Sequence, residues 1–160
     1  MGKNKHVVLI GLMGSGKSTV ARLVSRATGL PVSDSDTFLR ERYGHKAAEI
    51  AATQGVDVLH EREAEHVLDA LDGPPAVITA ASSVVERPEV REALRDALVV
   101  WLDAPDEVLA ERMKADDHRP PFAPALMRAR REPYFRALAG LAFHSGTPGE
   151  AAATISRHLS

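Results

Sequence analysis

A glycine-rich segment between an apolar run and an amphipathic stretch constrains this chain more than any other feature. Residues Gly11 to Ser18 are Gly-Leu-Met-Gly-Ser-Gly-Lys-Ser and fit G-x-x-x-x-G-K-[ST] without a mismatch. Glycines let the backbone approach phosphate oxygens, and the amides at the start of the following helix supply positive partial charge. We expect Lys17 to reach the β- and γ-phosphates and Ser18 to bind Mg²⁺. The strand–loop–helix context distinguishes this motif from a chance turn and predicts a nucleoside triphosphate site.

Apolar runs and helical patterns alternate along the rest of the chain. Short apolar runs predict strands at 6–10, 30–33, 76–79, 98–102 and 141–144. Amphipathic spacing predicts helices at 17–28, 36–43, 47–53, 56–71, 88–96, 105–115, 125–138 and 150–159. Pro133 is expected to kink the helix over 125–138 or to reset its start, and Thr147–Gly149 is expected to form a turn. The alternation predicts an α/β fold, a parallel sheet with helices on both faces, in a single domain over 1–160.

Composition narrows the class of protein further. Of the 160 residues, 44% are apolar and 26% are charged, which excludes a disordered or collagen-like chain. No apolar run approaches the roughly 18 residues that a membrane helix needs. The net charge of −2 gives no electrostatic reason to expect nucleic acid or anionic lipid as a partner, and the absence of cysteine excludes disulfides and thiolate chemistry. We expect a cytoplasmic protein with no nucleic-acid or membrane partner.

Two aspartates follow the second predicted strand. Asp34 and Asp36 are two residues apart in an extended segment, so their side chains point the same way. One can hold Mg²⁺, directly or through water, and the other can accept the proton of an attacking hydroxyl. The alternative is that Asp34 or Ser35 caps the helix that follows.

Other classes of nucleotide-binding protein fit less well. The only Asn-Lys pair, Asn4-Lys5, precedes the first strand and cannot serve as a guanine signature. Asp103 follows a buried apolar run and could bind Mg²⁺, as in motor or assembly ATPases. The pattern Asp103-Ala104-Pro105 is typical of a helix start, however, and we therefore expect Asp103 to cap the next helix.

The stretch from Glu111 to Arg136 is basic in an otherwise acidic chain. It contains seven basic and four acidic residues, a net charge of +3. Residues 116–124 within it are predicted to form a loop with three prolines, and Arg119 lies in that loop. A basic loop that closes on a triphosphate would neutralise charge and exclude water. The alternative is a solvated basic surface.

Four of these features together resemble the shikimate kinase family. They are Gly11–Thr19, the Asp34-x-Asp36 pair, Arg119-Pro120, and Arg131 shortly before Tyr134. The resemblance implies a five-stranded parallel sheet of the nucleoside-monophosphate-kinase type, a lid loop near 116–124 and a substrate-binding helical region near 36–71. It also implies ATP and Mg²⁺ as cofactors, a monomer, and a small polyol or cyclic acid as substrate.

The resemblance assigns roles by position. Lys17, Asp36 and Arg119 are the implied catalytic residues, with Asp36 as the base candidate; Ser18 and Asp34 are the implied metal ligands. Residues implied to bind ATP are Gly11, Met13, Gly14, Ser15, Gly16, Lys17, Ser18, Thr19, Arg112, Arg119 and Pro148. Residues implied to bind substrate are Asp36, His60, Glu63, Ala81, Ser82, Ser83 and Arg131.

Three departures from the family pattern concern the acceptor. The family has an arginine at the position of His60 and three glycines at Ala81-Ser82-Ser83, and the stretch between Arg119 and Arg131 looks short. Arg62 lies about 200° around the helix from His60 and replaces the lost group only if the helix register shifts. The predicted function is phosphorylation of shikimate or of a related ring or sugar acid. A gluconate-kinase-like enzyme and a nucleotide-binding module without kinase activity are the alternatives.

Overall fold

A computed structural model describes residues 5–114 and 124–160 of the chain. The strands are β1 (Val7–Ile10), β2 (Val32–Asp34), β3 (Val77–Thr79), β4 (Leu98–Leu102) and β5 (Leu141–Phe143). The α-helices are α1 (Lys17–Thr28), α2 (Ser35–Tyr43), α3 (Ala47–Gln54), α4 (Val56–Asp72), α5 (Pro88–Ala93), α6 (Asp106–Lys114), α7 (Pro124–Leu138) and α8 (Pro148–Leu159). Two short 3₁₀ helices, Ser82–Glu86 and Leu94–Asp96, complete the described elements.

The five strands form one parallel sheet in the order β2-β3-β1-β4-β5, as the sequence predicts. In the centre, Val8 of β1 pairs with Ile78 of β3 on one side and with Val99 of β4 on the other. The chain adds strands first on one side of β1 and then on the other, so the strand order reverses there. Ligands of doubly wound sheets bind at such a reversal, beyond the carboxyl ends of the strands.

Apolar side chains bury both faces of the sheet. Along β1, Val8 and Ile10 point to the face covered by α4, α5 and α7, whereas Val7 and Leu9 point to the face covered by α1 and α8. Two-sided burial explains why β1 is a continuous apolar run rather than an alternating one. Trp101 of β4 is 2% exposed and belongs to the core on the first of these faces.

Several local features of the chain were not predicted or were left open by the sequence. Residues Ser82–Glu86 form a 3₁₀ helix that was not predicted. Pro133 lies inside α7 and does not reset the helix start. Packing of this helix through the fully buried Phe135 compensates for the backbone hydrogen bond that proline cannot donate. The end of the predicted loop over 116–124 also differs, since Pro124 already belongs to α7.

The last helix begins earlier than predicted. Thr147 is its N-cap, and Pro148 and Gly149 form its first turn rather than a separate turn. The Thr147 hydroxyl accepts a hydrogen bond from the backbone N–H of Glu150, whose carboxylate accepts one from the N–H of Thr147. This capping box, together with proline at the first helical position, fixes the start of α8. Among the residues that the structure describes, no helix is long and apolar enough to span a membrane.

Candidate active site

The glycine-rich loop connects β1 to α1 in a conformation that requires glycine. Gly11 has φ +147°, and a Cβ placed there would lie 2.3 Å from the carbonyl oxygen of Leu102. Only glycine lets the loop pass this close to the end of β4. Lys17 begins α1, and its Nζ donates to the carbonyls of Gly11 at 2.8 Å and Leu12 at 3.2 Å. The ammonium group of Lys17 therefore lies beside the loop whose backbone amides would surround a phosphate.

A single open cavity of about 1210 Å³ runs from this loop across the carboxyl ends of the strands. It gathers every predicted site residue that the structure describes except Gly11. Those residues are Met13–Thr19, Asp34, Asp36, His60, Glu63, Ala81, Ser82, Ser83, Arg112, Arg131 and Pro148. Arg112 lies beside the loop, and its Nη1 donates to the carbonyl of Gly14. Arg119 and positions 116–123 of the expected lid lie outside the described residues.

Asp34 both caps a helix and lines the cavity. Its Oδ2 accepts a hydrogen bond from the N–H of Thr37 at 3.1 Å, which makes it the N-cap of α2. Its Oδ1 accepts one from the Thr79 hydroxyl at 2.9 Å, and this bond fixes the carboxylate against β3. Asp36 lies in the first turn of α2 and also faces the cavity. The capping alternative considered for Asp34 is therefore correct, and it is compatible with a second role in the cavity.

Ser18 and Asp34 offer the oxygens that Mg²⁺ prefers, a hydroxyl and a carboxylate. The groups that donate to Asp34, the N–H and hydroxyl of Thr37 and the hydroxyl of Thr79, carry no charge. Across residues 5–114 and 124–160, no cluster of three or more acidic or histidine side chains could hold a metal by itself. This donor set fits Mg²⁺, which typically binds through one or two protein oxygens and the phosphates of its nucleotide.

Buried charged groups occupy the other end of the cavity. Glu63 of α4 is 8% exposed and accepts a hydrogen bond from the Ser83 hydroxyl at 2.8 Å. The side chain of Arg131 in α7 is 7% exposed. Its Nε donates to Glu86 at 2.7 Å, and its Nη1 donates to the Ser82 hydroxyl at 2.6 Å. A buried guanidinium beside a cavity can pair with a carboxylate of the bound acceptor.

His60 reaches this end of the cavity, but Arg62 does not. Burial, reinforced by the charge of Arg131, lowers the pKa of His60, so the neutral imidazole is favoured. Arg62 donates to the Oε1 of Gln54 at 3.0 Å, and its guanidinium lies 3.9 Å from the centre of the Tyr43 ring. The helix register has not shifted, and Arg62 therefore does not substitute for an arginine at position 60.

Comparison with known proteins identifies the family. The family model of shikimate kinase matches residues 13–148, well over half of the chain. This chain belongs to the shikimate kinase family. It is an ATP-dependent phosphotransferase with a hydroxyl group as acceptor.

Curated relatives agree with this assignment. The shikimate kinase of Moorella thermoacetica is 37% identical over 161 residues, which cover 96% of this chain and 91% of the relative. The shikimate kinase of Symbiobacterium thermophilum is 41% identical over 119 residues, which cover 73% of this chain and 68% of the relative.

Solved structures share the fold. The shikimate kinase from Acinetobacter baumannii in complex with shikimate matches with a TM-score of 0.91 at 22% identity, covering 99% of this chain and 94% of that one. A gluconokinase from Sinorhizobium meliloti 1021 matches with a TM-score of 0.59 at 21% identity, covering 98% of this chain and 89% of that one. The backbone of this shikimate kinase family member is thus more similar to the first than to the second.

The prediction that Asp103 caps α6 is wrong. Helix α6 begins at Asp106, and its first backbone bonds run to the carbonyl of Pro105. Asp103 instead pairs with Arg128 at 2.8 Å and with the Nδ1 of His144 at 2.9 Å. Burial opposes ionisation of Asp103, but the bonds from Arg128 and His144 outweigh it and hold the pKa of the carboxyl below its usual value.

Sequence reasoning also missed Glu86 and Arg130. Glu86 ends the 3₁₀ helix and bonds to both Arg131 and Arg130. Burial disfavours its charge, but the hydrogen bonds and charges of the two arginines outweigh burial and lower the pKa of Glu86. The net positive charge of the Glu111–Arg136 stretch indicated basic residues here, but no local pattern linked them to an acid 44 residues away.

Proposed function

We propose that this protein is a shikimate kinase: it transfers the γ-phosphate of ATP to a hydroxyl of shikimate with Mg²⁺ bound. One observation carries the proposal. A single cavity is lined by the phosphate-binding loop, by Asp36 and by the buried Arg131. Phosphoryl transfer to a hydroxyl of a carboxylic acid needs a binding site for phosphates, a proton acceptor and a cation for the carboxylate, and those groups supply all three.

The loop and its helix would hold the nucleotide. Lys17 and the amides of Met13–Thr19 neutralise the phosphates, while Arg112 and Pro148 flank the adenine. Ser18 and Asp34 would hold Mg²⁺, which supplies charge neutralisation at the phosphates when it is bound. Arg119, outside the described residues, is expected to add a further positive charge.

The remaining residues would hold the acceptor and move its proton. Arg131 pairs with the carboxylate, and Glu63, His60 and the Ala81–Ser83 segment line the same end. Asp36 accepts the proton of the attacking hydroxyl. A bond forms between the hydroxyl oxygen and the γ-phosphorus as the bond from that phosphorus to the β-phosphate oxygen breaks, and ADP leaves.

The serine hydroxyls favour shikimate over gluconate. A gluconate-kinase-like enzyme was one alternative, and Ser82 and Ser83 stand where the shikimate kinase pattern has glycines. Their Oγ atoms are instead bonded to Arg131 and Glu63, and both serines are buried. Their hydroxyls therefore support the charged groups of the site. We further propose that the chain is a single kinase domain that acts as a cytoplasmic monomer without nucleic-acid or membrane partners.

Turnover measurements test this proposal. ADP release from Mg-ATP should depend on shikimate and stop when EDTA removes Mg²⁺. Because Asp36 acts as the base, Asp36→Asn should lower kcat about 100-fold or more, with Kd for ADP changed less than about twofold. The exposed Asp72→Asn, at the far end of α4, is the matched control and should keep wild-type turnover.

Other results would overturn parts of the proposal. Turnover with gluconate but not with shikimate would show a sugar acid as acceptor. Nucleotide binding without turnover on either acid would favour a binding module. Full activity of Asp36→Asn would remove Asp36 from the proton transfer.

A further inference from the structure

A three-residue ion cluster lies where α7 meets the 3₁₀ helix Ser82–Glu86, and we call it the acid-end cluster. Glu86 accepts hydrogen bonds from two arginines, with Oε2 on the Nε of Arg131 at 2.7 Å and Oε1 on the Nε of Arg130 at 2.8 Å. Exposure of the three side chains differs sharply, at 7% for Arg131, 23% for Glu86 and 64% for Arg130. The cluster thus runs from the buried end of the cavity to its surface.

Glu86 and Ser82 fix the orientation of the Arg131 guanidinium. A guanidinium has five N–H donors in one plane. Glu86 takes the Nε donor and Ser82 takes one donor of Nη1. Within residues 5–114 and 124–160, no other side chain or carbonyl accepts a hydrogen bond from Arg131. The donors that remain are one on Nη1 and two on Nη2, and Nη1 with Nη2 is a pair of nitrogens that a carboxylate can bind bidentately.

The charges of the cluster determine what it can bind. Glu86 alone would neutralise Arg131, and a substrate carboxylate would meet no net charge there. Arg130 pairs with the same carboxylate. The cluster then has two guanidiniums and one carboxylate, and its net charge is +1. The neighbouring His60 adds none when neutral. Over these three residues, counted apart from the buried Glu63 at the same end of the cavity, one excess charge matches an acceptor with one carboxylate.

We propose that Glu86 is a positioning residue, which aims the free edge of Arg131 at the acceptor's carboxylate, and that Arg130 is a specificity-determining residue for monocarboxylic acceptors. This inference rests on the proposed function, because it concerns the same acceptor. It adds two residues to the recognition of that acceptor, of which one never touches it.

Steady-state kinetics of Glu86→Gln and Arg130→Met test the proposal, with shikimate and its neutral carboxamide as acceptors. We expect both variants to raise KM for shikimate, about tenfold for Glu86→Gln and somewhat less for Arg130→Met, as loss of one well-oriented charged contact would. Values of kcat and KM for ATP should change less than about twofold, and KM for the carboxamide should hardly change. Glu92→Gln and Arg95→Met, which break an exposed pair on the surface, are the matched controls and should behave as wild type.

The remaining outcomes would overturn the inference. A lower KM for shikimate in Glu86→Gln would mean that Glu86 competes with the substrate for Arg131. Equal losses with shikimate and carboxamide, or a parallel fall in kcat, would mean that the cluster only holds α7 in place. If Glu86→Gln does not fold, Arg130→Met still tests the proposal, because Arg130 is largely exposed and its replacement should leave the fold intact. Failure of the proposed function is distinguishable, because the wild-type protein would then not turn over shikimate at all.

Discussion

Single polar residues at this site are held by partners distant in sequence. Ser83 donates to Glu63, Arg131 to Ser82, and Thr79 to Asp34, across separations of 20, 49 and 45 residues. In the sequence, Ser82 and Ser83 stand only as departures from the glycines of the family pattern. In the fold, their hydroxyls satisfy buried charges that would otherwise be costly to desolvate.

His66 is a single residue that should make stability depend on pH. It is 1% exposed, its Nε2 lies 2.9 Å from the Ser33 hydroxyl, and its ring packs on Phe38. Burial lowers its pKa, and the nearby negative charge of Asp34 offsets part of that effect. The unfolded chain therefore binds a proton more readily than the folded protein does. The stability that His66 contributes is present above pH of about 6.5 and is lost as the pH falls through the folded pKa.

Urea unfolding between pH 5 and 8 measures this effect. The free energy of unfolding should fall toward low pH, by about 1.4 kcal/mol for each unit that separates the two pKa values of His66. His66→Gln can keep a bond to Ser33 but cannot titrate, so its profile should be flatter. The pKa of His60 is lowered in the same direction, and some slope should remain. The exposed His158→Gln is the control, and an unchanged slope in His66→Gln would contradict the prediction.

At the scale of elements, one arginine anchors α7 to the sheet. Arg128 donates to Asp103 at 2.8 Å, Asp106 at 2.9 Å, Glu132 at 3.1 Å and the carbonyl of Ala104 at 2.7 Å. Burial alone would lower the pKa of Arg128, but these bonds outweigh it and raise that pKa. Through Asp103, the same network reaches His144 just after β5. It thus joins α7, which carries Arg130 and Arg131, to the ends of β4 and β5.

Removal of this anchor should destabilise the protein measurably. Arg128→Met leaves three carboxylates without their shared cation. Because the Arg128 side chain is only partly buried, we expect the free energy of unfolding to fall by about 2 kcal/mol and not more. That loss corresponds to a fall in Tm of about 4–8 °C for a domain of this size. Differential scanning calorimetry is the measurement, with the exposed Arg95→Met as a control that should shift Tm little. Equal Tm values for the two variants would show that the network contributes no more than a surface pair.

At the scale of the whole molecule, the sheet order gathers both halves of the site at one edge. The phosphate-binding loop follows β1, Asp34 ends β2, and the Ala81–Ser83 segment follows β3. Because these strands are adjacent and parallel, their carboxyl ends open into the same cavity. Nucleotide and acceptor should therefore each bind the folded chain and stabilise it.

Thermal shift assays test this whole-molecule prediction. At about 100 times its Kd, Mg-ADP should add about 2.7 kcal/mol to stability, or roughly 5–10 °C in Tm, and shikimate should do the same. Lys17→Met should lose most of the ADP shift and keep the shikimate shift, because the two ligands meet different ends of the cavity. If Lys17→Met loses both shifts, the prediction that nucleotide and acceptor bind separate ends of the cavity is wrong.

Local sequence determined the nucleotide half of this protein. The loop, the strand before it and the helix after it are encoded by consecutive residues, and α1 and β4 have the bounds that the sequence predicts. The Asp34-x-Asp36 pair was also evident, and both residues line the cavity, although Asp36 lies in the first turn of α2 and not in the extended segment that the sequence suggested. Alternation of strands and helices likewise determined the parallel sheet.

Tertiary structure decided which partners hold the charged groups around the acceptor half. The packing of helices on the sheet explains three contacts that no local pattern indicated. Glu86 is shared by two arginines, Asp103 pairs with Arg128 instead of capping α6, and the guanidinium of Arg62 lies over the ring of Tyr43. The physical reason is range. Loop and helix propensities act over a few neighbouring residues, whereas the partner of a buried charge is whichever group the packing brings within about 3 Å, however far away it lies in sequence.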